Sequence, residues 1–396
     1  MPDYLDGNRL GLLKNGEQYF PALVAALDAA RTEVFLETYL FADDGIGSLV
    51  ANALARAASR GVATHLLVDG FGARDFSPRL RTLLSDAGVE LLVFRPDIRP
   101  WRLRGQRTRL RRMHRKLASV DAAVAFVGGI NIIDDFDTPN QTPPRYDYAV
   151  RIEGPLAARV RAEAARLWTR VSLAAFGRRW LGFGAPASGS PQAQAPEAGA
   201  SADGQRAALA VRDNFRHRRD IEQAYLELIA SARDEVLIAN AYFFPGRRFR
   251  HALASAARRG VRVTLLLQGR VEYALLHYAS RALYGPMLEA GIGLYEYHRS
   301  FLHAKVAVFD RRFACVGSSN IDPFSLLLAR EANVFVDDPG FAGTLRDSVQ
   351  EAIESGANAV PRGKWRRTSI LLKARFWISY GIARLLLAFF GYDRPG

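Results

Sequence analysis

Two sets of side chains, alike in type and spacing, stand about half a chain apart. The first is His114 and Lys116, then Asp121, Gly128-Gly129 and Asn131; the second is His303 and Lys305, then Asp310, Gly317-Ser318 and Asn320. Both follow H-x-K-x4-D-x6-G-G-x-N, except that Ser318 replaces the second glycine. Near neutral pH a histidine serves as a nucleophile when neutral and as an acid when charged. A phosphodiester is an anion with a poor leaving group. Its exchange needs a nucleophile, a proton donor for the departing oxygen and positive charge around the phosphoryl oxygens. His114 and His303 fit the first two roles if their environments push their protonation apart. Lys116, Lys305, Asn131 and Asn320 are the candidate phosphate-binding groups. No packing requirement repeats so long a polar pattern, whereas His65, His217, His251, His277 and His298 read as structural.

Each histidine also needs an acceptor on its other ring nitrogen to fix its tautomer. Aligning the halves beyond each motif puts Asp147 and Glu331 at equivalent positions, each opening a strand (Asp147-Tyr-Ala-Val and Glu331-Ala-Asn-Val), and these are the candidate orienters. Asp121 and Asp310 belong to the catalytic signature by position. They follow an apolar tetrapeptide, which puts their carboxylates more than ~10 Å from the phosphate and marks them as turn or salt-bridge residues. No metal site is expected, because His-x-Lys sets a cation beside the would-be ligand. No cofactor is expected either, since replacing one phosphodiester by another is nearly isoenergetic.

The elements that must position these groups repeat as well. Helix-like stretches at Phe20–Leu27 and Ile221–Ile229 precede strands at Glu33–Tyr39 and Glu235–Tyr242. Ala/Arg-rich helices then stop at Gly61 and Gly260, the expected left-handed terminators. Apolar runs ending at Asp69 and Gln268 read as strands buried on both faces. This alternation predicts an α/β fold of two tandem domains, each a mixed, mostly parallel sheet flanked by helices. The predicted division is 1–181 for the first domain, with a basic insert at 97–113, and 182–207 for a flexible linker rich in Gly, Ala, Pro, Ser and Gln. The second domain takes 208–365 and an apolar, basic tail takes 366–396.

The chain of 396 residues has a formal net charge of +14 and a pI near 10.2, which favours nucleic acid or an anionic membrane surface as partner without choosing between them. A single Cys315 excludes an intrachain disulfide framework, and Met1 to Phe20 lacks the apolar core of a signal segment. Arg102, Arg104, Arg107 and Arg109 lie in an acid-free run interleaved with Trp101, Leu103, Leu110 and Met113, so that stretch suits an anionic lipid surface. Ser369 to Tyr392 is apolar but broken by Lys373, Arg375 and Arg384, short for a membrane span. It reads as an interfacial or re-entrant helix inserting Phe376, Trp377, Phe389 and Phe390, against the alternative of a helix packed on the protein's own core.

The doubled His-Lys-Asp motif resembles the signature of the phospholipase D superfamily. More narrowly the chain is similar to bacterial cardiolipin synthases of the B type. Asn15-Gly-Glu-Gln-Tyr19, Arg112-Met-His-Arg-Lys116, Ala239-Asn-Ala-Tyr-Phe-Phe-Pro-Gly246 and Val316-Gly-Ser-Ser-Asn320-Ile-Asp322-Pro carry that likeness, with Asp147-Tyr-Ala-Val150 and Glu153-Gly-Pro155. The resemblance covers about residues 8–365. It implies two similar domains facing each other across one active site at a pseudo-twofold axis, with His114 as nucleophile. It further implies a phosphatidyltransferase with phosphatidylglycerol as both donor and acceptor, releasing glycerol through a phosphohistidine. The expected place is peripheral, on the cytoplasmic face of the bacterial inner membrane, with anionic phospholipids and no nucleic acid as partners. A hydrolase or another phosphatidyltransferase would use the same residues; a nuclease of the superfamily and a non-enzymatic membrane-binding protein are further alternatives. Oligomeric state is not encoded here, because the internal repeat already completes the site.

Overall fold

The computed structural model describes residues 2–74, 76–95, 112–137, 142–180, 204–213, 217–271, 274–322, 329–367 and 369–389. The first half opens with β1 (Leu5–Lys14), α1 (Asn15–Ala29), β2 (Glu33–Thr38), α2 (Gly45–Ser59) and β3 (Ala63–Asp69). It continues with α3 (Pro78–Asp86), β4 (Glu90–Phe94), β5 (Lys116–Val120), β6 (Val124–Gly128), β7 (Arg145–Tyr146), β8 (Tyr148–Glu153) and α4 (Pro155–Trp180). The second half has β9 (Gln205–Arg212), α5 (Asp220–Ser231), β10 (Glu235–Asn240), α6 (Arg247–Arg258), β11 (Arg262–Gln268), α7 (Ala274–Arg281) and α8 (Tyr284–Glu289). After these come β12 (Gly293–Tyr297), β13 (Phe301–Leu302), β14 (Lys305–Phe309), β15 (Phe313–Gly317) and β16 (Glu331–Asp337). The chain closes with α9 (Pro339–Gly356), β17 (Ala357–Ala359), α10 (Arg362–Arg366) and α11 (Ile370–Phe389).

One 15-stranded sheet runs through both halves in the order β17-β12-β11-β10-β14-β15-β16-β9-β1-β8-β6-β5-β2-β3-β4. Apart from β17, the order is the same read outward in either direction from the β9–β1 junction, as a pseudo-twofold requires. The sheet is mixed, but its parallel part is confined to β2-β3-β4 and β10-β11-β12. The motif strands β5 and β14 run antiparallel to both neighbours. The physical reason is the tight turn after each motif. Asp121-Ala122 and Asp310-Arg311 take positive φ (52° and 55°, 51° and 54°) and fold β5 onto β6 and β14 onto β15 as hairpins.

Apolar runs in the central strands are buried on both faces. α1, α2 and α3 cover the outer face of the first half, and α5, α6 and α8 that of the second. A third cluster joins the halves: Leu117, Val127 and Val150 share it with Val306, Val334 and Leu345, under α4 and α9. Double coverage explains why β5 and β14 are apolar beyond their lysines, save for the buried Ser119.

Residues 182–203 of the expected linker lie outside the described residues. Its last part is strand, for β9 begins at Gln205 and buries Ala207. Alanines hide that alternation in sequence. The tail forms α11, which packs on the protein along one side. Phe376 and Ala383 are buried, Phe376 stacking on Trp365 and Tyr278 at centroid distances of 5.6 and 6.0 Å. Leu371, Ile378 and Leu385 are exposed on the same helix. Phe376 is therefore a packing residue rather than an inserting one, Trp377 is half exposed, and the side chains of Phe389 and Phe390 lie outside the described residues. Among the described residues no helix is long and apolar enough to cross a membrane.

Candidate active site

The histidines stand just before their motif strands, in extended segments that cross to the other half. β13 pairs in parallel with β7, setting Leu302 opposite Tyr146. An isolated parallel bridge sets Met113 opposite Arg330. One residue further along each pair, His303 meets Asp147 and His114 meets Glu331. His303 Nδ1 lies 2.6 Å from Asp147 Oδ2, and His114 Nδ1 is hydrogen-bonded to Glu331 Oε2 at 3.3 Å, with Oε1 at 3.0 Å. Each ring is also tied through its backbone, His303 N donating to Tyr146 O and His114 N to Arg330 O, both at 2.9 Å. Each half thus holds the other half's histidine. With Nδ1 donating to a carboxylate, Nε2 is the atom left for chemistry.

Lys116 Nζ donates to His114 O at 2.6 Å, and Lys305 Nζ donates to His303 O and lies 3.7 Å from Asp147 Oδ2. Both lysines are buried. Burial, with Lys305 opposing it further, pulls the Lys116 ammonium down to about 7. Burial and the adjacent lysine also lower the histidines, His114 below its ordinary value and His303 well below. Burial raises the Asp147 carboxyl to about 6 against the pull of Lys305. Burial thus disfavours charge throughout the centre, and an arriving phosphodiester would favour the charged forms of the lysines and of whichever histidine serves as acid.

Asn131 and Asn320 follow β6 and β15, the hairpin partners of the motif strands, and both are buried. Asn131 Oδ1 accepts from Leu40 N at 3.2 Å, which commits the oxygen and leaves the NH2 as donor. Among the described residues Asn320 Oδ1 is buried without a hydrogen-bond partner. Asp121 accepts the backbone N–H groups of Arg31, Thr32 and Glu33, and Asp310 those of Arg233, Asp234 and Glu235. They sit at the far end of the motif strands from the lysines and clamp the hairpin to the start of β2 and β10. These hydrogen bonds shape the turn, and among the described residues neither carboxylate is hydrogen-bonded to a histidine or lysine of the motifs.

Several residues escaped the sequence reading. Asp69, fully buried at the end of β3, accepts from Met113 N at 2.9 Å and from Arg112 Nε at 3.0 Å, fixing the approach to His114. Its repeat counterpart Gln268 donates to Leu302 O at 3.3 Å, on the approach to His303. Their equivalence in the repeat was the available signal. Asn15, at φ 57°, receives Asp147 N on its side chain at 3.1 Å and donates its own N to Asp147 O at 2.8 Å. Arg102, Arg104, Arg107 and Arg109 lie outside the described residues.

The glycine-to-serine difference between the motifs has a steric origin. A Cβ at Gly129 would lie 2.4 Å from an Asp147 carboxylate oxygen. At the equivalent place Ser318 donates its hydroxyl to Glu331 Oε2 at 2.5 Å. The short carboxylate needs the room, and the longer one receives a hydroxyl.

The family model described as "Cardiolipin synthase, PLD-like domain" matches residues 23–168 and 225–353. Over 394 residues the chain is 40% identical to cardiolipin synthase B of Escherichia coli K12, covering 97% of this chain and 87% of that protein. It is 30% identical to cardiolipin synthase A of Yersinia pseudotuberculosis, over 89% of this chain and 70% of the relative. Among solved structures, phosphatidylserine synthase of Haemophilus influenzae has the same fold, with a TM-score of 0.65 at 12% identity over 97% of this chain and 95% of that one. Polyphosphate kinase of Porphyromonas gingivalis follows at 0.57 and 15%, over 90% of this chain and 49% of the other.

Proposed function

The chain belongs to the cardiolipin synthase family with phospholipase D-like domains, and from that premise we propose that it transfers a phosphatidyl group between two phosphatidylglycerol molecules. The observation that carries the chemistry is the pairing of two His-Lys sets at one centre, each histidine braced by a carboxylate from the opposite half. His114, the more accessible ring, attacks phosphorus through Nε2. The P–O bond to the glycerol headgroup breaks as His303 gives its proton to the departing oxygen. A phosphatidyl group is then held on His114 by a P–N bond. The terminal hydroxyl of a second phosphatidylglycerol loses its proton to His303 and attacks phosphorus, the P–N bond breaks, and cardiolipin leaves. Lys116, Lys305, Asn131 and Asn320 serve the phosphoryl oxygens throughout, which supplies positive charge without a metal.

The exposed apolar side of α11 supports a peripheral place on a membrane, and the arginines of the basic insert suit an anionic lipid surface; the cytoplasmic face is part of the same proposal. Vesicles of phosphatidylglycerol incubated beside a DNA substrate in excess EDTA test the reading in one assay. Cardiolipin and glycerol are the expected products. Cut DNA would assign a nuclease, phosphatidic acid alone a hydrolase, and no product from either substrate a binding protein.

A further inference from the structure

The motif and carboxylate segments also build a second charged place, facing away from the histidines. Arg115 lies between His114 and Lys116, and Arg330 directly precedes Glu331, so alternation turns both side chains from the catalytic centre. They meet Arg166 and Arg170 of α4 and Arg212 of β9 around a cavity of about 280 Å³. That is several times the ~30 Å³ a water molecule occupies in the liquid.

Five guanidinium groups line this cavity against two carboxylates, Glu163 and Asp213. Glu37, from behind, receives both Arg115 Nε and Arg115 Nη2. Glu163 pairs with Arg166 at 2.6 Å. Arg212 donates to the carbonyls of Ala329 and Arg218. Two cations remain less well matched. Among the described residues Arg330 Nε is buried without a hydrogen-bond partner, and burial together with Arg115 pulls that guanidinium down to about 10 against the support of Asp213. Arg170 makes no ion pair or hydrogen bond among the described residues and reaches the same space from α4. Guanidinium forks converging in a half-enclosed space match the oxygens of a phosphate group.

We propose that this cavity is a binding site for a phosphate-class anion, distinct from the catalytic centre, with Arg170 and Arg330 as its principal donors. An anion held there braces the backbone that positions the nucleophile, because Arg330 O accepts from His114 N. A free phosphate and the phosphate of an anionic lipid headgroup present the same chemistry.

Calorimetric titration of inorganic phosphate into the full-length protein, with chloride keeping ionic strength constant, tests the site. Two classes of binding are expected. Arg170→Gln/Arg330→Gln should weaken one class at least about tenfold, through loss of two charge-assisted contacts. The other class should persist in that variant and disappear in His303→Ala/Lys305→Ala. If the double arginine variant does not fold, Arg170→Gln alone, at an exposed side chain, should still weaken the same class severalfold. An unchanged isotherm in either folded variant, or heats that chloride abolishes, overturns the proposal. Vesicles of phosphatidylglycerol identify the source once the site is established. Reduced vesicle binding by the arginine variant, with phosphate competing, assigns a lipid headgroup, whereas unchanged vesicle binding assigns the free anion.

Discussion

At the scale of the residue, the two halves differ where their carboxylates differ. Gly129 leaves space for Asp147, and Ser318 fills the equivalent space with a donor to Glu331. Gly129→Ala should therefore push Asp147 from His303 and lower kcat by about 100-fold, the scale of a 1 Å misplacement. Ser318→Ala removes one hydrogen bond to a charged group, worth about 1.5–3 kcal/mol, and should lower kcat roughly tenfold or more with KM little changed. Steady-state kinetics on the folded variants distinguishes the two. The pH profile carries a sign of its own. Lys116 loses its charge as pH rises through about 7 in the free protein, so kcat/KM should fall on the alkaline side near there. A bound phosphodiester favours the ammonium, so the alkaline limb of kcat should lie higher. On the acid side, His114 lies below its ordinary value and stays neutral, and so nucleophilic, to lower pH, whereas His303 must carry a proton to act as the acid, a form that burial disfavours and a bound phosphodiester favours.

At the scale of the element, the motif strands were legible because polar types at fixed spacing recur where apolar packing alone would not place them. What joins them was not. The pairing of β7 with β13 spans only Arg145–Tyr146 and Phe301–Leu302, and the Met113–Arg330 bridge a single pair; segments so short carry no periodicity. The orienters Asp147 and Glu331 could be named from the repeat, but which histidine each serves depends on that crossing. Asp121 shows what the turn needs. Asp121→Ala should cost about 1–2 kcal/mol, as loss of a capping side chain does, lowering Tm while turnover per folded molecule stays near normal. In α11 the apolar residues and the charges were visible in sequence, but not which side the rest of the fold would cover. Glutamate at Leu371, Ile378 and Leu385 should abolish the salt-resistant part of vesicle binding and spare turnover of detergent-dispersed lipid. Phe376→Ala should instead destabilise the protein by about 3–5 kcal/mol, measured by denaturant unfolding.

At the scale of the molecule, a palindromic strand order places two copies of one motif at a common centre, and each copy is incomplete without a carboxylate from the other. Repetition in the sequence revealed the pair of domains; the continuous sheet through β9 and β1 was concealed by the alanines of β9 and the irregular register of that junction. A shared centre has a stringent consequence, since neither half can complete the exchange alone. The most direct test is to quantify cardiolipin and glycerol formed from labelled phosphatidylglycerol vesicles by the intact protein and by His114→Ala and His303→Ala. Equal amounts of the two products from the intact protein, and loss of both from each folded variant, are the predicted result. Sustained turnover to cardiolipin by either single-histidine variant at a rate near that of the intact protein would contradict it.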